Sequence, residues 1–311
     1  LEGGMNMRAA TGQKVKKSRE DIIFDVINYT FLTLFTLLCV FPFYYVLINS
    51  ISANDMVDMG KVMFYPIGIH FSNYVEVLKM ERLGMAAWVS LARTVLGTLL
   101  ALVGASYMAY LFTKQNMWKR KLWYRLVIAT MYFSAGLIPG YMNMRMLGLV
   151  NTFWVYVIPG IFPVYNMILI KTYMESISPA LEESASIDGA GYMVRFTRIV
   201  LPLCIPILAT VALFSAVGHW NSFMDTLLYV TDYRLNTLQY LLYQYINEAR
   251  NLAAQIASGN IGVSEIDPSK VVSPTSVQLT VTIVVVFPIL CVYPFLQRYY
   301  VKGIMIGAVK G

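Results

Sequence analysis

The residues most suited to a specific task lie in one polar stretch between residues 180 and 191. It contains the carboxylates of Glu182 and Glu183, which fall in the first turns of the expected helix, and that of Asp188, followed by Gly189 and Gly191. Carboxylates near a helix start are stabilised by the positive end of the helix dipole, and glycine permits a sharp turn where a helix ends. The stretch therefore predicts a short helix, a bend and a second short helix. This shape suits docking into a groove on a partner protein.

The alternative interpretation of Glu183 and Asp188 is a solvated helix face with an ordinary capping carboxylate. That interpretation would suit an isolated acidic pair. Here the pair is followed by glycines and then by Leu201 and Pro202, at the start of a long apolar run. The combination favours a docking element placed just before a membrane-spanning helix.

Arg93 is a strong base inside an apolar run, and ionisable residues within membrane spans are functional candidates. It also lies within about two turns of the expected outer end of its span, so its long side chain could reach water by snorkelling. Both interpretations stay open. His70 and His219 are well separated and have no neighbouring Cys or Asp at metal-site spacing, so we predict no metal site and no catalytic residue.

Long apolar runs must position these residues. The chain is 58% hydrophobic and only 13% charged, whereas soluble domains are about 45–50% apolar. A spanning helix needs about 20 mainly apolar residues, and such runs cover residues 24–48, 86–112, 126–141, 153–173, 199–218 and 277–296. We predict an all-α integral membrane protein with about six transmembrane helices and the docking element between the fourth and fifth. Tyr and Trp near the ends of these runs suit interface anchors better than sugar-stacking platforms.

The distribution of Lys and Arg predicts the orientation. Basic residues collect in the tail before residue 24 and in the 114–125 loop, which places both in the cytoplasm. We expect a cytoplasmic tail over residues 1–23, of which 1–4 resemble a cloning remnant. A transmembrane domain over 24–300 follows, and then a cytoplasmic tail over 301–311. The domain includes a long external loop at 219–276, whose aromatic and polar first half is expected to be structured and whose second half, from residue 258, is expected to be flexible. Both termini are expected in the cytoplasm.

The docking stretch resembles the coupling loop of binding-protein-dependent ABC importers, whose pattern runs Glu-Ala-Ala, then Asp-Gly-Ala, then Leu-Pro. The matching residues are Glu183, Ala185, Asp188, Gly189, Ala190, Leu201 and Pro202. Ser184 replaces the first alanine, a change between small residues. Segments 147–152, 220–221 and 301–311 are also similar to the smaller permease of the maltose-type carbohydrate importers. Within that family the chain resembles in particular the permease pair that imports alginate oligosaccharides.

This resemblance implies a transport subunit, not an enzyme, in the bacterial cytoplasmic (inner) membrane. It implies half of a pathway for an oligosaccharide, of acidic alginate type, with a second homologous permease, two ATPase subunits and an extracytoplasmic solute-binding protein. ATP and Mg would bind to the ATPases, and this chain would hold no cofactor.

The resemblance and the pattern together assign candidate roles to four groups of residues. The expected ATPase-coupling residues are Glu183, Ala185, Asp188, Gly189, Ala190 and Gly191. The tail residues Lys310 and Gly311 are expected to reach the ATPase, and Tyr240, Tyr243, Gln244 and Asn247 the binding protein. Arg93, Trp220 and Asn221 are candidates for the pathway.

Other function classes fit the sequence less well. A secondary carrier or channel for a small polar solute remains the alternative, but it would ordinarily need acidic residues within the spans or a polar filter, and the spans contain almost none. A membrane enzyme would need a cluster of nucleophile, base or metal ligands. The net charge of +7 does not indicate nucleic-acid binding, because the basic residues lie in short clusters between apolar runs. The chain has no phosphate-loop signature, so the energy for transport must come from a partner.

Overall fold

The computed structural model describes residues 18–258 and 274–308, and all regular secondary structure in this part of the chain is helical, without strands. The helices are α1 Arg19–Ser50, α2 Asn54–Asp58, α3 Ser72–Lys79, α4 Glu81–Thr113, α5 Arg120–Ala129, α6 Leu137–Met146, α7 Val164–Met174, α8 Ala180–Ile187, α9 Tyr192–Arg195, α10 Leu201–Leu203, α11 Ile205–Asn221, α12 Met224–Tyr229, α13 Leu238–Ala257 and α14 Pro274–Ala308. Short 3-10 turns lie at Phe153–Tyr156, Ile158–Gly160 and Tyr233–Leu235, and a π-helical turn lies at Phe196–Val200. The all-α class predicted from the sequence is confirmed.

Two of the described helices, Arg19–Ser50 and Arg82–Thr113, are long and apolar enough to cross a membrane. Two bent pairs raise the number to four if each pair forms one span. Phe153–Gly160 meets Val164–Met174 at 42°, and Tyr192–Leu203 meets Ile205–Asn221 at 80°. The expected count of six spans therefore stays a prediction.

The third apolar run differs from the sequence expectation. Residues 126–141 were expected to form one helix, but α5 ends at Ala129 and α6 begins at Leu137. Between them the chain turns, and Gly136 adopts a φ of 88°, which is incompatible with a continuing helix. The run thus consists of two short helices joined by a non-helical connection.

The long loop expected at 219–276 is also organised differently. Helix α11 continues to Asn221, and α14 already begins at Pro274, where proline is favoured because its missing N–H needs no partner in the first helical turn. The described part of the intervening segment contains α12 and the 20-residue α13. The first half of this segment is therefore a helical cap, in agreement with the order expected there, and the second half, expected to be flexible, lies mostly outside the described residues.

Helix α4 lies at the centre of the fold. Small residues let its neighbours approach closely, and Ala101, Ala105 and Ala109 follow each other at one-turn spacing with 2% exposure or less. A side chain at Gly104 would place its Cβ 2.1 Å from the carbonyl oxygen of Ile161, so only glycine fits there. The helices α7 and α11 pack on this face of α4, around the buried side chains of Met167, Ile170 and Val211.

A second cluster joins the opposite end of α4 to α13 and α14. Leu83 on α4, Leu238 and Leu241 on α13, and Val281 and Val285 on α14 are all nearly fully buried against one another. Through these contacts α13 is fixed to the transmembrane helices.

Candidate functional site

The segment between residues 180 and 195, called the 180–195 segment below, has the helix–bend–helix form that its sequence predicts. Helix α8 begins after Pro179, and its first turn contains two glutamates. At its end Gly189 adopts a φ of 83° and donates a hydrogen bond to the oxygen of Ser186 at 3.1 Å. The N–H of Ala190 donates to the oxygen of Ala185 at 2.9 Å. These two bonds form a Schellman motif, which requires a left-handed residue at the position of Gly189.

Gly191 has a different role from the one expected. Its φ of −67° and ψ of 164° describe extended backbone, which any residue adopts. A side chain at Gly191 would also meet no atom within 4 Å. Of the two glycines, only Gly189 is therefore needed for the bend.

One face of α8 is attached to the end of α4. The carboxylate of Glu182 forms an ion pair with Lys114 and accepts a hydrogen bond from the hydroxyl of Tyr110 at 3.1 Å. The ammonium group of Lys114 also lies 3.9 Å from the centre of the Tyr110 ring. In addition, the hydroxyl of Tyr110 lies within hydrogen-bond distance of the backbone oxygen of Tyr192, at 3.3 Å, and the rings of Tyr110 and Phe196, the next residue after the segment, lie 4.8 Å apart. The position of α8 is thus coupled to that of a central helix.

The opposite face of α8 is exposed. Glu183 and Ile187 are four residues apart on this face, and Ile187 is 87% exposed. Asp188, at the end of the helix, is exposed as well. An acidic and an apolar side chain are thus both available to a partner on this face. The roles assigned to these residues stay predictions.

Arg93 does not snorkel to water, because it is only 2% exposed. Its guanidinium forms an ion pair with Asp225, donates to the oxygen of Ser222 at 3.0 Å and lies 4.7 Å from the centre of the Tyr156 ring. The hydroxyl of Tyr156 in turn donates to the oxygen of Leu235 at 2.7 Å. The buried arginine therefore joins α4 to the turn before α12 and to two 3-10 turns.

The other pathway candidates lie near this network but have different surroundings. The indole of Trp220 is partly buried and donates to the backbone oxygen of Val285 at 3.1 Å, which anchors α11 to α14. Asn221, the last residue of α11, is exposed. His219 packs against Gly97 of α4. Within the described residues no group of three or more His, Cys, Asp or Glu side chains is arranged to hold a metal ion.

The candidate binding-protein contacts form one stripe along α13. Tyr240, Tyr243, Gln244 and Asn247 follow the spacing of one helix face, and all four are partly exposed. Tyr243 stacks on Phe223, with ring centres 4.7 Å apart. The expected tail contacts Lys310 and Gly311 lie outside the described residues.

Sequence reasoning missed two partners that organise these sites. Asp225 is 132 residues from Arg93 and lies outside the apolar runs, so no local pattern linked the two. Glu182 was noticed only as a first-turn carboxylate, whereas it binds Lys114, 68 residues away. The adjacent positions of Glu182 and Glu183 gave a weak indication that the two have different partners, because adjacent residues on a helix point in different directions.

Comparison with known proteins shows the family. No family model matches the chain. The chain is 33% identical over 290 residues to the polygalacturonan/rhamnogalacturonan transport system permease protein YtcP of Bacillus subtilis, covering 93% of this chain and 99% of that relative. This chain belongs to the permeases of ABC sugar importers. Like its relatives, this permease is a multi-pass protein of the inner membrane and a transport subunit.

Two further comparisons support the resemblance seen in the sequence. The trehalose/maltose transport system permease protein MalG of Thermococcus litoralis is 26% identical over 302 residues, which cover 94% of this permease and 99% of the relative. A crystal structure of a bacterial ABC transporter involved in the import of the acidic polysaccharide alginate contains a chain that superposes with a TM-score of 0.81. It is 28% identical and covers 92% of this permease and 100% of that chain. The likeness to maltose-type permeases and to an alginate importer permease is confirmed.

Proposed function

We propose that this permease forms one half of the translocation pathway of an ATP-driven importer for an acidic oligosaccharide. Its partners would be a second homologous permease, two ATPase subunits that bind ATP and Mg²⁺, and an extracytoplasmic solute-binding protein. The substrate class is supported by two comparisons. One relative is named for polygalacturonan and rhamnogalacturonan, and one structural neighbour for alginate. Galacturonan and alginate are polymers of uronic acids, which carry one carboxylate on each sugar.

The proposed coupling to the ATPase rests on the 180–195 segment. A subunit without a nucleotide site needs a contact through which the ATPase moves its membrane helices. The exposed face of α8 offers Glu183 and Ile187 to a partner, while Glu182 on the other face is bound to Lys114 of α4. A displacement of α8 would therefore act directly on the end of a central helix. We propose that Glu183 pairs with a basic side chain in a groove of the ATPase.

The opposite end of the molecule supports the proposed binding-protein contact. The stripe of Tyr240, Tyr243, Gln244 and Asn247 is partly exposed on helix α13, which a buried cluster of leucines and valines fixes to α4 and α14. Aromatic side chains with few rotatable bonds are favoured in protein interfaces. The tail residues Lys310 and Gly311 are proposed to contact the ATPase, as the family resemblance implies.

The test uses the complete importer, reconstituted in vesicles with its binding protein. We expect uptake of trigalacturonate that requires ATP and is matched by ATP hydrolysis stimulated by the loaded binding protein. Truncating one partner of a desolvated ion pair at an interface costs on the order of 2–5 kcal/mol. Glu183→Ala should therefore reduce both uptake and stimulated hydrolysis strongly.

The control is Glu76→Ala, which removes an exposed carboxylate on α3. Co-purification of all subunits shows whether each variant complex is assembled. Wild-type uptake by an assembled Glu183→Ala complex would exclude this residue as the transmission contact. Uptake by the permease alone, without ATPase subunits, would favour a secondary carrier instead.

A further inference from the structure

A cleft with two arginines lies at the amino-terminal end of α4. It has a volume of about 430 Å³ and is lined by Arg82, Met85, Tyr233 and Arg234. This volume lies within the range of about 300–1,000 Å³ that is typical of small-molecule sites. Arg82 and Met85 come from α4, and the other two residues come from the 3-10 turn Tyr233–Leu235.

The tyrosine holds both guanidinium groups. The guanidinium carbon of Arg82 lies 5.6 Å from the centre of the Tyr233 ring, and that of Arg234 lies 5.9 Å from it. Stacking on an aromatic ring uses the face of a guanidinium and leaves its in-plane N–H donors available. Each guanidinium can therefore offer N–H donors to a carboxylate, which accepts two parallel hydrogen bonds from one guanidinium.

Among the described residues, one carboxylate lies close to this pair of arginines: Asp232 stabilises the charge of Arg234, whose guanidinium also donates a hydrogen bond to Tyr233. No ion pair involving Arg82 or Arg234 is found in the described part of the chain. The neighbouring Asp232 uses an oxygen of its carboxylate to accept a hydrogen bond from the backbone N–H of Arg234, at 2.9 Å. By contrast, the buried Arg93 is engaged by Asp225 and by a backbone oxygen. With two guanidinium groups and one nearby carboxylate, the described residues of the cleft keep a net positive charge, and the cleft faces solvent.

The cleft lies where a substrate would enter the permease from the outer side of the membrane. Arg82 and Lys114 stand at the two ends of α4, and 32 residues of helix separate them by roughly 48 Å, more than the hydrocarbon core of about 30 Å. The cleft thus lies on the side of the membrane opposite to α8. It is also next to α13, because Leu83, one residue after Arg82, packs against Leu238 and Leu241.

We propose that this cleft binds the carboxylate of a uronic acid residue as the oligosaccharide passes from the solute-binding protein to the permease. The inference rests on the proposed function and adds a site to it. Arg82 and Arg234 donate to the carboxylate, Tyr233 holds the two guanidinium groups in place, and Met85 provides an apolar wall. A neutral sugar would leave these donors without an acceptor, so the cleft selects for charged substrates.

The experiment measures the complete importer in vesicles, with trigalacturonate as the probe and the binding protein at saturation. The variants are Arg82→Gln, Arg234→Gln and both together, and Lys79→Gln is the control because it removes an exposed cation at the same end of the molecule. Solvent-exposed charge contacts contribute little individually, so we expect maximal uptake to fall about threefold in each single variant and about tenfold in the double variant. The double lysine variant keeps the charge and should retain more uptake than the double glutamine variant.

A second measurement distinguishes the substrate carboxylate from carboxylates on the binding protein. The concentration of binding protein that gives half-maximal ATPase stimulation should be the same in all variants. If this concentration rises while maximal uptake is normal, the arginines bind the binding protein and the proposal is overturned. Wild-type uptake by the double variant would overturn it as well. If the wild-type importer itself hydrolyses ATP but takes up no trigalacturonate, the proposed substrate class fails together with the cleft.

Discussion

Arg93 and Asp225 have unequal surroundings, and this inequality has a measurable consequence. The arginine is 2% exposed, whereas the aspartate side chain is 35% exposed. Removing the aspartate charge leaves a buried cation without its anion, which costs on the order of 3 kcal/mol. Removing the arginine leaves a carboxylate that water can still reach. We expect Asp225→Asn to lower the thermal unfolding temperature of the purified complex more than Arg93→Met does.

The double variant is the matching control for this pair. Arg93→Met combined with Asp225→Asn contains no unpaired buried charge, so its unfolding temperature should recover part of the loss caused by Asp225→Asn. A double variant that is as unstable as the sum of the single variants would show that the two charges do not interact.

The two glycines of the 180–195 segment provide a matched pair of substitutions. Gly189 has a φ of 83°, where a side chain costs about 1–2 kcal/mol, and Gly191 has a φ of −67° with open space around it. We expect Gly189→Ala to reduce stimulated ATP hydrolysis and uptake, and Gly191→Ala to leave both unchanged. Gly189→Asn should be milder, since asparagine tolerates the left-handed conformation. Equal activity of the two alanine variants would contradict a role of the bend in coupling.

Single residues were predictable from the sequence where their environment is local. The bend at Gly189 depends on hydrogen bonds within residues 185–190, which lie next to one another in the sequence. The partners of Arg93 and of Glu182 are fixed by the packing of distant helices, and no spacing rule reports such packing. For the same reason the choice between a snorkelling and a buried Arg93 could be made only from the structure.

The partly exposed stripe of helix α13 is predicted to contact the solute-binding protein. Its buried face holds Leu238, Leu241 and Leu242, and its partly exposed face holds Gln244 between Tyr243 and Asn247. A photo-reactive amino acid at Gln244 should cross-link to the solute-binding protein in the assembled importer. The same group in place of Glu183 should capture the ATPase. Capture of the ATPase from position 244 would contradict the proposed arrangement.

Whole helices were predicted well where an apolar run is continuous and poorly where it is interrupted. Helices α1 and α4 contain the runs expected at 24–48 and 86–112. The run at 126–141 is divided because residues 130–136 turn before α6, a local conformation that hydropathy does not report. The cap formed by α12 and α13 was expected to be ordered, but its polar and aromatic composition did not show that it is helical.

The orientation of the entire molecule is a prediction that labelling can test. Ser18 precedes α1, Ser258 follows α13, and both are exposed. In a variant whose three native cysteines are replaced, an impermeant thiol reagent applied to intact cells should label Ser258→Cys but not Ser18→Cys. Disruption of the membrane should make both positions reactive. The opposite labelling pattern would invert the assignment of inside and outside.

Helix α4 has 33 residues, contains no proline and is therefore a stiff rod of about 50 Å. In a stiff helix of this length, a small rotation displaces both ends by several ångströms. Tilting by about 10° around its middle moves each end by roughly 4 Å, and the two ends move in opposite directions. A push from Glu182 at one end would thus swing the arginine cleft at the other end the opposite way, without any helix having to unwind. In the proposed importer, the stiffness of this one helix would link the closing of one side of the membrane to the opening of the other.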